Sequence, residues 1–344
     1  MFPLARNLSA KIARKSGVLA ESVCVCILVC VFAWIGYSMY GRANIGETYP
    51  SKYIDIICPF SAGGGTDLLC RTLADCMSES FGKPVNVQNV AGGGGAVGHV
   101  RGASSKADGY SMTMLTFELA TLSLRGFAPV GAEDFSFVAR LNADPSCVAV
   151  CSDFPADNME EFLKLARGGA KLKFGNSGTG SVWHLAAEFF ARKAGIEMSS
   201  VSFDGASNAV TAMLGGHIDA VTVSAAELKS HVESGRVKIL AVMSKNRLAA
   251  FPEVPTCAEF GVDVDFCTWR GIAMPKGVPA EIVDFVGEKL REIAASQRMR
   301  EFSESTGMNV EYLDGGEFEK AVRLQSIELK PLMGELGLLK GRAK

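Results

Sequence analysis

Three segments rich in glycine and hydroxyl side chains have the composition of sites that bind small anions. Loop 1 (residues 59–65) reads PFSAGGG, loop 2 (residues 91–98) reads AGGGGAVG and loop 3 (residues 175–181) reads GNSGTGS. Glycine lets the backbone turn sharply and brings N–H groups close to a ligand. Helical patterns follow loops 1 and 3, and the unpaired N–H groups at a helix start attract negative charge. These segments predict a carboxylate site, although loop 1 alone would equally suit a turn that only connects a strand to a helix.

Three acidic residues near the loops have more than one interpretation. Asp67 stands at the predicted start of a helix, where capping of that helix is favoured over contact with a ligand. Glu118 and Asp204 follow predicted strands. Each can repel a second carboxylate, or accept a hydrogen bond from a ligand hydroxyl, an amine or a water. We therefore expect Asp204 to tune which ligand is chosen.

The four histidines do not form a predicted metal site. His184 lies near a helix start, where direct ligand contact, a supporting role and simple packing all remain open. His184 and Glu188 have the i,i+4 spacing of a partial metal site, but no other ligand cluster supports one. His99, His217 and His231 are expected at the surface or in turns. No metal or cofactor is predicted.

Main-chain donors, rather than cationic side chains, are expected to hold the ligand, because no arginine lies within the three loops. The net charge of -2 gives no indication of a nucleic-acid surface. A serine hydrolase is the competing class, since Ser181 precedes His184 by one helical turn and Asp219 lies downstream. The GxSxG motif of many such enzymes is absent, so we expect a binding protein and not an enzyme.

Residues 1–43 have the features of an export signal or a membrane anchor. Basic residues precede an uncharged stretch at residues 22–41, which predicts that the N-terminus stays inside and the rest is exported. The apolar part, residues 23–40, approaches the roughly 20 residues that span a bilayer. A cleaved signal peptide is the alternative, but its apolar part is usually about 7–15 residues long. We expect an uncleaved anchor, with the rest of the chain outside the cytoplasm.

Short strands alternate with helices along the remaining chain, which predicts an α/β fold with parallel sheets covered on both faces. Strands are predicted at residues 54–57, 85–90, 110–116, 137–141, 147–151, 171–174, 200–203, 218–223, 238–243 and 266–274. Helices are predicted after loops 1 and 3 and at residues 158–167, 209–214, 225–233, 279–295, 297–305 and 316–336. In such sheets ligands lie off the carboxyl ends of the strands, where the three loops occur.

Two segments and the cysteines carry further expectations. Residues 99–106 look too short and polar for a crossover helix, so loop 2 is predicted to be a glycine lip and not a dinucleotide fingerprint. Residues 142–145 are expected to separate two strands. Seven of the ten cysteines follow the N-terminal segment, and we expect them to be buried thiols rather than a disulfide framework.

Seven segments occur in an order that resembles a known family. They are PFSAGGGTD (59–67), NVAGGGGAVG (89–98), ADGY (107–110), GNSGTGSVWHLAAEFF (175–190), LGGHIDAVTVS (214–224), FPEVPT (251–256) and TWRG (268–271). From about residue 48 to 340, the chain is similar to the extracytoplasmic solute receptors of tripartite tricarboxylate transporters, the Bug and TctC type of receptor.

The resemblance implies a two-lobed, periplasmic-binding-protein-like fold (type II), with a mostly parallel sheet flanked by helices in each lobe and the ligand cleft between the lobes. Lobe 1 would comprise residues 48–145 and 268–344, and lobe 2 would comprise residues 146–267. A small carboxylate, for example a di- or tricarboxylate such as citrate, would be passed to membrane permease subunits. A monomer is expected for this architecture, and a sensory role in place of transport remains open.

The same resemblance implies which residues face the ligand. Those it implies are Phe60, Ser61, Ala62, Gly63, Gly64, Gly65, Thr66, Asp67, Gly94, Gly95, Ser177, Gly178, Thr179, Gly180, His184, Asp204, Thr222 and Ser224. Thr116 and Glu118, at the end of the predicted strand 110–116, are expected at the site from their position near the loops.

Overall fold

The computed structural model describes residues 49–340, and every element named below lies in the unit that begins at Pro50. The predicted N-terminal anchor, residues 1–43, lies outside the described residues. Within the described range, none of the helices has the length and apolar character needed to cross a bilayer.

Ten strands form two sheets within the described residues. They are β1 (Ile54–Cys58), β2 (Val85–Asn89), β3 (Ser111–Thr116), β4 (Phe135–Cys151), β5 (Leu172–Asn176), β6 (Met198–Ser202), β7 (Ala220–Ser224), β8 (Val237–Val242), β9 (Cys267–Pro275) and β10 (Val310–Asp314).

Ten α-helices cover the sheets in the same part of the chain. They are α1 (Gly65–Phe81), α2 (Ala96–Ala103), α3 (Leu119–Arg125), α4 (Met159–Arg167), α5 (Val182–Ala194), α6 (Ala206–Leu214), α7 (Ala225–Glu233), α8 (Ala280–Ala294), α9 (Gln297–Thr306) and α10 (Gly315–Glu335). Short 3₁₀ turns lie at Gly93–Gly95, Ala132–Asp134 and Cys257–Phe260.

Sheet 1 has the strand order β2-β1-β3-β9-β4 with β10 also on β4, and sheet 2 has the order β4-β7-β5-β6 with β8 also on β4. Strands β1, β2 and β3 run parallel, as do β5, β6 and β7. The pairs that involve β4 or β9 are antiparallel, so both sheets are mixed. The α/β fold is therefore as predicted, with parallel strands on the outside and antiparallel strands where the two sheets meet.

Strand β4 is one continuous element, so the predicted break at residues 142–145 is wrong. The segment pairs with β9, from Asn142 opposite Arg270 to Pro145 opposite Cys267. Asparagine and aspartate favour turns because their side chains can bond the nearby backbone, and proline favours them because its φ is fixed. Here the Asn142 side chain donates to the Asn309 carbonyl, and Pro145 lies where β4 changes its partner from β9 to β7. The missing N–H of proline is tolerated at such a change of partner.

Three further elements differ from the predictions. Residues 96–103 form α2, so the expectation that residues 99–106 are too short and polar for a crossover helix is wrong. Helix α3 and strand β10 were not predicted at all. The division into lobes at residues 145 and 267 remains a prediction, although β4 joins sheet 1 and sheet 2 at this position.

The cores of both sheets are apolar and closely packed. Phe117 and Phe266 place their rings 5.5 Å apart, and Phe266 also lies 5.9 Å from the ring of Phe189. All seven cysteines of residues 49–340 are free and are buried or half-buried, which confirms their assignment as thiols of the packed interior.

Candidate ligand-binding site

Loop 1 leads into a helix start that has no side-chain cap. The residue before α1, Gly64, is extended (φ -83°, ψ 169°), and no side chain accepts a hydrogen bond there. The first N–H groups of a helix have no partner within the helix. The neighbouring residues Ser61, Ala62 and Gly63 are exposed, so solvent or a ligand reaches this end of α1.

The buried carboxylate of Asp67 holds loop 1 through three hydrogen bonds. Its Oδ2 accepts hydrogen bonds from Gly63 N and Arg71 Nε, both at 2.9 Å, and its Oδ1 accepts one from Asn89 Nδ2 at 2.8 Å. Burial by itself raises the pKa of Asp67, but the hydrogen bonds from Arg71, Gly63 and Asn89 outweigh it and lower the pKa to about 2. Asp67 therefore holds the loop in shape, and it does so without capping its own helix.

Loops 1 and 2 pack directly against each other. A Cβ added to Gly98 would lie 2.5 Å from Pro59 Cα and 2.8 Å from the Val90 carbonyl oxygen. A Cβ on Gly95 would lie 3.3 Å from the Phe60 ring. Glycine is needed at Gly98 because the two backbones approach more closely than any side chain allows, and at Gly95 because its φ of 89° is left-handed.

His99 connects loop 2 to the end of β3, so its predicted place at the surface or in a turn is wrong. Its ring is fully buried. The Thr116 N–H donates to His99 Nε2 at 3.3 Å, so the ring proton lies on Nδ1, which is 2.7 Å from the Gly95 carbonyl. Burial lowers the pKa of His99 to about 4. This neutral histidine fixes loop 2 relative to Thr116.

Glu118 lies beside two cationic side chains that the sequence analysis missed. Its Oε2 accepts a hydrogen bond from Thr116 Oγ1 at 2.6 Å. Burial raises the pKa of Glu118, and the charges of Arg270 and Arg125 partly oppose that rise. Neither arginine belongs to a glycine loop, although Arg270 lies in the TWRG segment.

Arg270 reaches from β9 to the start of α1. Its Nε donates to Thr66 Oγ1 at 3.0 Å, and its Nη1 donates to Asn142 at 2.6 Å and to Asp144 at 3.0 Å. The Asp144 carboxylate offsets the charge of Arg270, so this arginine supports the helix start as one half of an ion pair. The expectation that main-chain donors hold the ligand remains a prediction, but Arg270 and Arg125 lie close to loops 1 and 3.

Loop 3 is held by Asn176 and His184. Asn176 Oδ1 accepts from Gly178 N at 3.0 Å, and its Nδ2 donates to Ser200 Oγ at 2.8 Å. The Gly180 N–H donates to His184 Nδ1 at 2.9 Å, and Ser181 Oγ accepts from His184 N at 3.3 Å. His184 is buried, so its position favours the supporting role. Asn176 is a structural residue of the site that sequence reasoning missed, because nothing separates it from other loop polar residues.

Thr222 and Ser224 of β7, and Asp204 after β6, complete the set expected from the sequence. Thr222 is fully buried, and its Oγ1 donates to the Trp183 carbonyl at 2.8 Å. Glu227 Oε2 accepts from Ser224 N at 3.2 Å, at the start of α7. Asp204 is exposed beside loop 3, and its carbonyl accepts from Asn208.

A continuous chain of contacts links the three loops. It runs from loop 1 through loop 2, His99 and Thr116 to Glu118 and α3, and Arg125 then donates from α3 to the Thr179 carbonyl of loop 3 at 3.0 Å. Most of the expected site residues therefore belong to one connected region that joins loops 1, 2 and 3.

Ser181, His184 and Asp219 do not form the arrangement required of a serine hydrolase. His184 Nδ1 is occupied by Gly180 N, and Ser181 Oγ caps α5. The Asp219 carboxylate binds Lys173 N at 2.7 Å, near the beginning of β5, whereas Ser181 follows the end of β5. Asp219 and Ser181 thus lie at opposite ends of β5. Nor do residues 49–340 bring together three side chains that could hold a metal ion.

Two α/β sheets joined through long strands, with an open helix start in this region, define a two-lobed solute-binding protein. The family described as "Tripartite tricarboxylate transporter family receptor" matches residues 69–338. The chain belongs to this family.

Relatives and solved structures agree with this assignment. Protein BugT of Bordetella pertussis is 32% identical over 262 residues, which cover 74% of this chain and 80% of BugT. A TctC solute-binding protein from Polaromonas, solved without ligand, is 38% identical with a TM-score of 0.76, and the match covers 84% of this chain and 100% of that protein. The periplasmic binding protein BugD is 26% identical with a TM-score of 0.70, over 85% of this chain and 99% of BugD.

Proposed function

We propose that this protein is an extracytoplasmic receptor that binds a small di- or tricarboxylate and delivers it to a membrane permease of the tripartite tricarboxylate type. The observation that supports this ligand class most directly is the start of α1. There, the first N–H groups of the helix have no side-chain cap and follow the exposed Gly64, while Asp67 directs its own charge into loop 1. Such a helix start stabilises a bound negative charge by about 0.3–2 kcal/mol, so several contacts must act together.

Within this proposal, the predicted site residues divide into two groups. The N–H groups at the uncapped start of α1, the N–H groups of Ser177 and Thr179, and the hydroxyls of these two residues would contact the carboxylate. The carboxylate of Asp67, the ring of His184 and the hydroxyl of Thr222 already bond within the protein, so they would shape the site. Closure of the lobes would exclude water and strengthen each polar contact.

Two receptors of the same fold guide the choice of test ligands. One from R. palustris was solved with adipate (24% identical, TM-score 0.74), and MatC of Rhodopseudomonas palustris was solved with malate (22% identical, TM-score 0.69). At this identity they share the fold with the present chain, and they supply adipate and malate as probes to use beside citrate.

The test is a calorimetric titration of the purified protein with adipate, malate, citrate, hexanoate and glucose. We expect binding of at least one di- or tricarboxylate and no binding of glucose. A thermal scan gives an independent check, because ligand at about 100 times its Kd adds about 2.7 kcal/mol of stability. Absence of binding by every carboxylate would contradict the proposal, and turnover of any of them would favour an enzyme.

Asp204 provides a test of ligand choice within the same panel. We propose that this exposed carboxylate, beside loop 3, tunes the preference among carboxylates. Asp204→Ala is expected to change the ranking of adipate, malate and citrate. An unchanged ranking with unchanged affinities would show that Asp204 has no such role.

Delivery to a permease needs an experiment in cells. We expect deletion of the gene to abolish uptake of the bound carboxylate.

Tethering by residues 1–43 is tested by the N-terminal sequence of the mature protein. A mature chain that starts near Ala43 would contradict an uncleaved anchor.

A further inference from the structure

Arg125 lies at the end of α3 and joins sheet 1 to loop 3. Its Nη2 donates to the Thr179 carbonyl at 3.0 Å. A Cβ added to Gly180 would lie 2.9 Å from Cζ and from Nη2 of Arg125, so the guanidinium packs directly on the Gly180 backbone. On the same guanidinium, Cζ lies 4.0 Å from the centre of the Phe127 ring. Arg125 is therefore held in one place between an aromatic ring and loop 3.

The main chain around Arg125 is also fixed. The Lys340 N–H donates to the Leu124 carbonyl at 2.9 Å, and the Gly126 N–H returns to α3 at the Leu122 and Ser123 carbonyls. Gly126 adopts a left-handed conformation (φ 68°), which ends the helix immediately after Arg125. The guanidinium is thus positioned before any ligand arrives.

The charge of Arg125 has no carboxylate partner in the part of the chain that the structure describes. Other arginines of this region are paired, as Arg270 is with Asp144 at 3.0 Å and Arg71 is with Asp67 at 2.9 Å. The acceptor of Arg125 is instead a neutral carbonyl. Partial burial lowers the pKa of Arg125, which shows that water compensates its charge poorly. A half-buried cation of this kind is stabilised when an anion binds beside it.

Glu118 does not take that place. Its carboxyl is occupied by the Thr116 hydroxyl at 2.6 Å, and it acts on Arg125 only through its charge at longer range. The remaining N–H donors of Arg125, Nε and Nη1, make no hydrogen bond to residues 49–340. Nη2 also carries a second N–H besides the one that bonds Thr179. Together with Nε or Nη1, that N–H suits a carboxylate, which a guanidinium binds in a planar, two-bonded geometry along an edge that includes Nη2.

We propose that Arg125 recognises the second carboxylate of a dicarboxylate ligand and thereby selects dicarboxylates over monocarboxylates. This inference rests on the proposed function, in which the start of α1 and loop 1 hold one carboxylate. Arg125 lies at the opposite end of the contact chain, on loop 3. A dicarboxylate that spans from α1 to loop 3 would place its second carboxylate beside Arg125. Its two carboxylates would then connect sheet 1 to loop 3.

The test compares adipate with hexanoate, two ligands of equal chain length that differ by one carboxylate. Calorimetric Kd values are measured for wild type, Arg125→Gln, Arg125→Lys and the control Arg300→Gln, an exposed arginine on α9. Wild type is expected to prefer adipate by at least about tenfold. In Arg125→Gln this preference should largely disappear, with weaker adipate binding and hexanoate binding within about twofold of wild type. Arg125→Lys should retain part of the preference because it keeps the charge without the planar fork.

The control and the thermal melting curves separate this effect from a general defect. Arg300→Gln should leave both Kd values unchanged. If Arg125→Gln weakens adipate and hexanoate equally, Arg125 only holds the two sides together and the inference is overturned. If wild type binds adipate and Arg125→Gln binds it equally well, the inference is overturned while the proposed function stands. If wild type binds neither adipate, malate nor citrate, the proposed function itself is wrong and the inference falls with it.

Discussion

Arg270 and Asp144 form an ion pair at 3.0 Å that joins β9 to β4, next to the position where β4 passes from sheet 1 to sheet 2. The two side chains are only 15% and 5% exposed. Asp144 also accepts a hydrogen bond from Asn309 N at 2.7 Å, and Arg270 supports the start of α1 through Thr66. The same pair therefore stabilises the junction of the two sheets and orients the proposed anion site.

Removal of one partner should destabilise the protein strongly. In Asp144→Asn the Arg270 charge stays buried without its counter-ion, which costs about 3–5 kcal/mol in comparable buried pairs. Urea denaturation should show this loss as a lower midpoint. The matched control is Asp75→Asn, which breaks the pair of Asp75 with Arg298 at 2.9 Å, where both side chains are largely exposed, 65% and 43%. That change should cost less than about 1 kcal/mol. Equal losses in the two variants would contradict a special role for the Asp144 pair.

The close approach of loops 1 and 2 predicts a second result. In Gly98→Ala the added Cβ meets backbone atoms of Pro59 and Val90, which cannot move without separating the loops. We expect a loss of about 1–3 kcal/mol in the free energy of unfolding, as in other overpacked sites, together with weaker carboxylate binding.

Gly64→Ala is the control for this change. The φ of Gly64 is -83°, and its nearest neighbour would be the Ser61 carbonyl at 3.8 Å, so alanine fits without strain. Its free energy of unfolding should stay within about 0.5 kcal/mol of wild type. A Gly98→Ala protein as stable as Gly64→Ala would show that the loops adjust freely.

The sequence predicted much of the framework and little of what links the loops. Local patterns suffice where apolar residues alternate or repeat, as in β1, β5 and α7. They fail for β4, because the turn-forming residues 142–145 gain partners from β9 and from Asn309, far along the chain. His99 looks like a surface histidine, and only the approach of Thr116 and Gly95 shows why it is buried. Arg125 lies outside every recognised motif, so its contact with Thr179 depended on how sheet 1 faces loop 3.

The buried carboxylate of Asp67 predicts a specific acid sensitivity. Its pKa is lowered from 3.8 to about 2, so the folded state releases this proton more readily than the unfolded state. The associated stability is present above about pH 4 and is lost as pH falls through about 2, with a total of about 2 kcal/mol. Wild type should therefore lose more stability than Asp67→Asn when urea denaturation is repeated from about pH 5 down to about pH 2.5. Other carboxylates contribute equally to both proteins, so parallel pH curves would rule out this role of Asp67.

Glu227 predicts an opposite dependence near neutral pH. Its side chain is exposed at the start of α7, and the protein packed around its carboxyl raises the pKa above 4.5, toward about 7. The hydrogen bonds from Ser224 and the charge of Arg270 oppose this rise, and the charge of Asp144 adds to it. Because the folded-state pKa is raised, the proton bound by Glu227 favours the folded state below about pH 4.5, and this contribution is lost as pH rises through about 7.

Ser224 is expected in the cleft, and Glu227 accepts a hydrogen bond from Ser224 N, so a ligand in the proposed site would lie near Glu227. Its binding should then follow the same direction. Protonated Glu227 does not repel a carboxylate, whereas ionised Glu227 adds about 1 kcal/mol of repulsion at short range in water. We expect the Kd for adipate to be severalfold weaker at about pH 8 than at about pH 6 in wild type, and nearly constant in Glu227→Gln. The glutamine keeps an oxygen that can accept from Ser224 N, so α7 should remain intact. An equal pH dependence in wild type and Glu227→Gln would assign the effect to another group, and a stronger affinity at high pH would contradict the placement of Glu227 beside the ligand.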